Sequence, residues 1–156
     1  MNIPFLSLHD VTAKYKDEIH EAVLRVVDSG WYLQGKENER FEQHYAEYIG
    51  SKYCIGCANG LDALIWIFRA YIELGVMKPG DEVITPTFTF IATAEVVALL
   101  GLKPVVVDVD WDTMNISVEA IRKAITPRTK VIVPVHLFGQ CADMDAIMDI
   151  AREHNL

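Results

Sequence analysis

The chain lacks the features that would send it to a membrane, an oxidising compartment or a nucleic acid. No stretch approaches the roughly 18 uninterrupted apolar residues of a membrane-spanning helix. The start, Met1-Asn-Ile-Pro-Phe-Leu-Ser-Leu-His-Asp10, has neither a basic leader nor a cleavage motif, so no export signal is expected. The 3 cysteines among 156 residues would leave one unpaired in an exported protein, whereas the cytosol asks for no pairing. Cytoplasmic residence is the expectation. Lys and Arg number 14 against 22 Asp and Glu, a net charge of −8 that supplies no basic face for nucleic acid or an anionic membrane. Repeats, low-complexity tracts and linkers are missing. So are the Lys-Ser/Thr pair of a P-loop and the three glycines of a dinucleotide fingerprint.

What is present is a chain with 51% hydrophobic residues, enough to exclude disorder and to build a sizeable core. Tyr15, Ile19, Ala22, Val23 and Val26 recur at helical spacing, which predicts one amphipathic helix from Val11 to Ser29, stopped by Gly30. Trp31-Tyr-Leu-Gln-Gly35 then breaks the pattern and reads as a loop whose aromatics pack on the domain. A second helix is expected from about Glu37 to Ile49, turning Phe41, Tyr45 and Tyr48 inward, with Gly50-Ser51 ending it. From Tyr53 the chain alternates. Strands are expected at 53–57, 82–85, 104–107 and 130–135, and helices at 61–74, 91–100, 117–125 and 143–154. Continuous apolar runs such as Pro104-Val-Val-Val107 suit strands covered by helices on both faces of a parallel sheet, an α/β layer architecture.

In Tyr53-Cys-Ile-Gly-Cys-Ala-Asn-Gly-Leu-Asp62 a strand turns through Asn59-Gly60 into a long apolar helix. Such a turn gathers unpaired N–H groups and the positive end of a helix dipole, which favours an anion such as phosphate. A glycine merely closing a tight turn reads as well on these grounds. Asp62, awkward beside a phosphate, is expected to complement the dipole with its side chain turned away while its N–H serves the anion. Three patterns read as decoys. Cys54-x-x-Cys57 has no second pair, and residues three apart on a strand face opposite ways. Asp108, Asp110, Asp112 and Glu119 match calcium-loop positions, but Thr113 stands where that loop needs glycine. Asn115-Ile-Ser117 is a glycosylation sequon without meaning in the cytosol.

Asn59-Gly-Leu-Asp-Ala-Leu64, Gly80-Asp-Glu-Val-Ile84, Pro86-Thr-Phe-Thr-Phe-Ile-Ala-Thr93, Val107-Asp-Val-Asp110 with Asn115, and Pro134-Val-His-Leu-Phe-Gly-Gln140 stand in one order. In this they resemble the DegT/StrS-type sugar-nucleotide aminotransferases, which are pyridoxal-phosphate (PLP) enzymes. The resemblance implies the three-layer, mainly parallel α/β large domain of the aspartate-aminotransferase-like fold, incomplete in this chain. Residues 1–52 would form an N-terminal helical segment, and 53–156 the first part of the cofactor-binding domain.

It also implies roles. The N–H groups of Gly60, Leu61 and Asp62 would hold the PLP phosphate, with Phe90 stacked on its ring and Phe88 as the other candidate. Trp31, Gly35 and His136 would lie at a substrate or dimer contact; by itself, a histidine at a strand end more often serves structure than acts as a base. Phe138 stands where the family usually has tyrosine. No catalytic residue is expected here, because the family's lysine and the aspartate partner of the pyridine nitrogen lie downstream of Leu156. The stretch alone is therefore expected to be inactive. The implied reaction moves an amino group from glutamate to a nucleotide-linked keto-deoxyhexose in a homodimer. Asn59-Gly-Leu-Asp-Ala-Leu64 with Ala70-Tyr-Ile-Glu-Leu-Gly75 points to a 3-keto-6-deoxyhexose. A 4-keto sugar, or a non-catalytic sensor or scaffold of the same fold, are the alternatives. The family's strand order puts the strands at 82–85, 104–107 and 130–135 side by side and the one at 53–57 apart, with no ladder to any of them.

Overall fold

A computed structural model describes residues 4–156, which fall into two compact units, one ending at Gly56 and the other comprising Cys57–Leu156. In the first, α1 (Leu8–Lys14), α2 (Lys16–Ser29) and α3 (Lys36–Ile49) follow one another. Where one helix was expected, there are two, because Tyr15 leaves helical geometry (φ −119°, ψ 23°). Ser7 caps α1, its Oγ accepting from the Asp10 N–H. Gly30 and Gly50 end α2 and α3 in the left-handed conformation, as the glycine positions predict. The Arg25 guanidinium bonds both oxygens of Glu37, at 2.8 and 3.3 Å, tying α2 to the first turn of α3 and holding the Glu37 carboxyl below its ordinary range.

Packing in this unit departs from expectation. Tyr15, Ile19, Val23, Phe41, Tyr45 and Tyr48 are exposed, Tyr48 at 85%, and Ala22 and Val26 are only half-buried. The periodicity marks the face that gains from burial, but among the described residues nothing covers it. Trp31 and Tyr32 also face solvent instead of packing on the unit.

The second unit is a three-layer α/β sandwich built from α4 (Gly60–Glu73), β1 (Glu82–Pro86), α5 (Ala92–Leu99), β2 (Lys103–Val107), α6 (Val118–Ala124), β3 (Thr129–Ile132) and α7 (Met144–His154). The strands are parallel in the order β2-β1-β3, with Glu82 beside both Lys103 and Thr129. This is the neighbourhood expected for the three later strands. Tyr53–Cys57 is not a strand of this sheet. A strand assignment needs a ladder, and the apolar run alone does not create one.

Successive residues of β1 face opposite ways and so found two cores. Ile84 packs with Val107, Ile116, Ile121, Ile147 and Ile150 beneath α6 and α7. Val83 packs with Phe68, Met77, Val96, Val97 and Leu102 beneath α4 and α5. Covered strand faces are complete only for β1, all of whose residues are buried; Val106 of β2 is half exposed. At the amino end of the sheet the buried Glu82 carboxylate accepts from the Thr126 hydroxyl, Arg128 (2.8 Å) and Lys103 (3.1 Å), so one side chain fastens all three strand starts. The Thr126 hydroxyl and the two cations hold its carboxyl down from an ordinary 4.5 to about 2.

Candidate functional site

Open parallel sheets offer ligands the carboxyl ends of their strands, where here β1, β2 and β3 release loops 87–91, 108–117 and 133–143. Phe88 and Phe90 stand in the first. Proline at the end of β1 and the Thr87 N–H bonded to Val107 O (2.8 Å) turn the chain off the sheet, leaving Phe90 78% and Phe88 51% exposed. Among the described residues nothing buries the Phe90 ring. Its ring is free to stack on a planar partner.

At the amino end of α4, Asn59 is the N-cap. Its Oδ1 accepts from the Asp62 N–H, and its Nδ2 donates to Asp62 Oδ2, both at 3.0 Å. This corrects the expectation for Asp62: its side chain folds back on the cap instead of turning away, and its N–H is already engaged. Helix geometry leaves the N–H groups of Gly60 and Leu61 without intrahelical acceptors. Asn59 is extended (φ −162°) and Gly60 is helical, so no left-handed turn explains the glycine. What it provides is room, since a Cβ built on Gly60 would meet nothing within 4 Å.

The loops after β2 and β3 are joined through Asn115, which the sequence offered only as a motif member and a sequon. Its buried side chain receives the Leu137 N–H at 3.2 Å and donates to Gln140 O and Cys141 O at 3.1 and 3.2 Å. His136 has its own tether, Nδ1 accepting from the Ala142 N–H at 3.1 Å. An acceptor there carries no proton, so the neutral ring bears its hydrogen on Nε2. Between these ties Phe138 adopts φ +51° and is 94% exposed.

Trp31 and Gly35 belong to the first unit and touch each other. The indole Nε1–H donates to Leu33 O at 2.7 Å, and a Cβ on Gly35 would lie 3.2 Å from the Trp31 ring and carbonyl. Gly35 is the N-cap of α3. The carboxylates Asp108 and Asp110 are spent locally, on the N–H groups of Val109 and Asp112. No helix among the described residues is long and apolar enough to cross a membrane.

Residues 13–156 match the model of the DegT/DnrJ/EryC1/StrS aminotransferase family. The chain belongs to that family. Among curated members it is 51% identical over 99% of its length to the UDP-2-acetamido-2-deoxy-3-oxo-D-glucuronate aminotransferase of Pseudomonas aeruginosa. It is 49% identical over 99% to the dTDP-3-amino-3,6-dideoxy-alpha-D-galactopyranose transaminase of Aneurinibacillus thermoaerophilus. It spans 42% and 41% of those two proteins, about two fifths of their length. Among solved structures, S. venezuelae DesV superposes with a TM-score of 0.91 at 42% identity, over 99% of this chain and 40% of that one. NtdA of Bacillus subtilis, solved with the cofactor PMP bound, gives 0.88 at 35%, over 99% and 35%. The α/β fold of this aminotransferase family is therefore the fold of the chain.

Proposed function

We propose that this chain is the first part of a PLP-dependent aminotransferase that passes an amino group from glutamate to carbon 3 of a nucleotide-linked keto-deoxyhexose. The observation that carries the reading is the family match across residues 13–156, joined to two relatives named for 3-oxo and 3-amino sugar nucleotides. Residues 53–156 would be the opening part of the cofactor-binding domain, and residues 1–52 the helical segment before it. A cytoplasmic homodimer is the working assembly.

The residues fit the cofactor at two points. The N–H groups of Gly60 and Leu61 lie in the first turn of α4, where helix geometry leaves them without intrahelical acceptors at the positive end of the dipole, and the Cβ position of Gly60 is open, as a phosphate requires. Asp62 contributes its N–H only when the Asn59 side chain swings away. Phe90 offers an exposed ring to the pyridine face. When bound, the cofactor supplies the carrier for the amino group. The chain's own part is to bind the phosphate, hold the ring and keep water from one side of it. Trp31, Gly35 and His136 would serve the substrate or the second subunit.

Gly60→Val in the full-length enzyme tests the cradle. A Cβ meets no atom there, so the melting temperature should stay close to wild type while PLP retention, read by cofactor absorbance after gel filtration, falls at least tenfold. Retention equal to wild type would remove Gly60 from the site. Amino transfer from glutamate to 3-keto and 4-keto nucleotide sugars, assayed on the full-length enzyme, separates the enzyme from a non-catalytic scaffold. The 156-residue stretch alone should transfer none.

A further inference from the structure

The tie between the loops after β2 and β3 is more elaborate than connecting two surface segments requires. Asn115 is rigidly mounted: its carbonyl accepts from the Asp110 N–H at 2.8 Å, its N–H donates to Thr113 Oγ1 at 3.2 Å, and Val109 bridges Ile116 across the loop. From that mount its side chain spends one acceptor and both donors on the neighbouring loop, at Leu137, Gln140 and Cys141. Asparagine is the residue of this size that can do both, since aspartate at neutral pH cannot donate to two carbonyls. The segment so held contains a phenylalanine at φ +51° with 94% of its surface in water. A bulky residue in the left-handed region is strained, and strain of this kind persists only where the surroundings impose it. In the same segment the Ala142 N–H occupies His136 Nδ1, which leaves Nε2 as the donor of the ring. An apolar ring and a hydrogen-bond donor are thus presented together at the carboxyl end of β3.

We propose that Asn115 is a positioning residue for the sugar-nucleotide substrate: it fixes the 136–142 loop so that the Phe138 ring and the His136 Nε2–H meet the substrate already in place. The inference rests on the aminotransferase reading above. The ring packs against an apolar face of the sugar or base, and the imidazole donates to a hydroxyl or phosphate oxygen. Asn115 acts through the loop and touches no reacting atom.

The test uses the full-length enzyme with wild type, Asn115→Asp, Phe138→Ala and, as a core control of reduced stability, Ile121→Val. Asn115→Asp conserves volume, and Phe138→Ala alters an exposed side chain, so it folds even if the first variant does not. Hydrogen exchange should accelerate at least tenfold at residues 137–142 in Asn115→Asp and not at those residues in Ile121→Val. KM for the aminated keto-sugar nucleotide should rise at least fivefold in Asn115→Asp and in Phe138→Ala, with kcat within twofold. The control should leave KM where it was. In wild type, the ¹⁵N shifts of His136 should report the Nε2–H tautomer. Unchanged exchange at 137–142 in Asn115→Asp, or an unchanged KM in Phe138→Ala, overturns the proposal. A wild-type enzyme that aminates none of the sugars fails first on the functional reading, and the inference falls with it before any variant is made.

Discussion

The two units put their apolar side chains to opposite use. Among the described residues, Ala46 is the one buried hydrophobic residue before Cys57, whereas Phe68, Val83, Ile84, Val96, Val97, Ile121 and Ile150 are almost or wholly sealed in the second unit. In the first unit α1, α2 and α3 rest on local devices: the Ser7 cap, left-handed glycines and the Arg25–Glu37 pair. In the second, a central strand founds a core on each face. Helical periodicity therefore reports which side chains gain from burial, and only the sheet's layers tell which of them obtain it.

The contrast can be broken most severely at Phe68. Truncation to alanine should cost about 3–5 kcal/mol in urea unfolding of the second unit, from lost transfer energy and the cavity left behind. Glu82→Gln should come next, because it leaves Lys103 and Arg128 facing a neutral amide. Its effect carries a pH signature. The folded carboxyl titrates at about 2 and the unfolded one near 4.5, so the stabilisation is complete above the unfolded value and lost as pH falls through that window. The gap in urea midpoint between wild type and Glu82→Gln should close on acidification across it. A gap that persists at pH 2 would show that the carboxylate charge is not the source. Asn59→Ala removes the α4 cap and should cost about 1 kcal/mol. In the first unit Tyr48→Ala should change stability by no more than about 0.5 kcal/mol, since the ring is already in water. A large loss there would mean that another part of the full-length protein covers it.

Much of the second unit was legible because its signals are local. The helices expected at 117–125 and 143–154 start beside the residues that cap α6 and α7, Ser117 and Asp143, and the apolar runs of β1 and β2 lie within a residue of the expected strands. What escaped depends on register or on loops meeting. Glu82, in Gly80-Asp-Glu-Val-Ile84, looks like a polar first residue of a strand until Lys103 and Thr129 are set beside it. Asn115 and the segment from Leu137 to Cys141 are more than twenty residues apart, and no periodicity links them. Tyr53–Cys57 pairs with none of the three strands, as the family's strand order implies, so its apolar run carries no strand of its own here. The break at Tyr15 has no sequence signal that we can name. At the amino end of α4 the strand-turn-helix pattern placed the helix start at Gly60, while the Asn59–Asp62 pairing that occupies the Asp62 N–H follows from a side-chain choice no spacing rule specifies.

The strand order β2-β1-β3 also fixes a calendar. The middle strand is made first, and its two neighbours begin at Lys103 and Thr129. On a ribosome β1 would emerge with both flanks empty, gain β2 after one crossover, and stay open on the other flank until Thr129 has cleared the exit tunnel. Each closure is a non-local step whose entropy must be met before any ladder bond rewards it. The helices of the first unit need no such wait, because their bonds reach back four residues. A pause in translation between Val107 and Thr129 would prolong the interval in which Val83 and Ile84 lie beside an open flank, and it is there that a chaperone would find its clearest target.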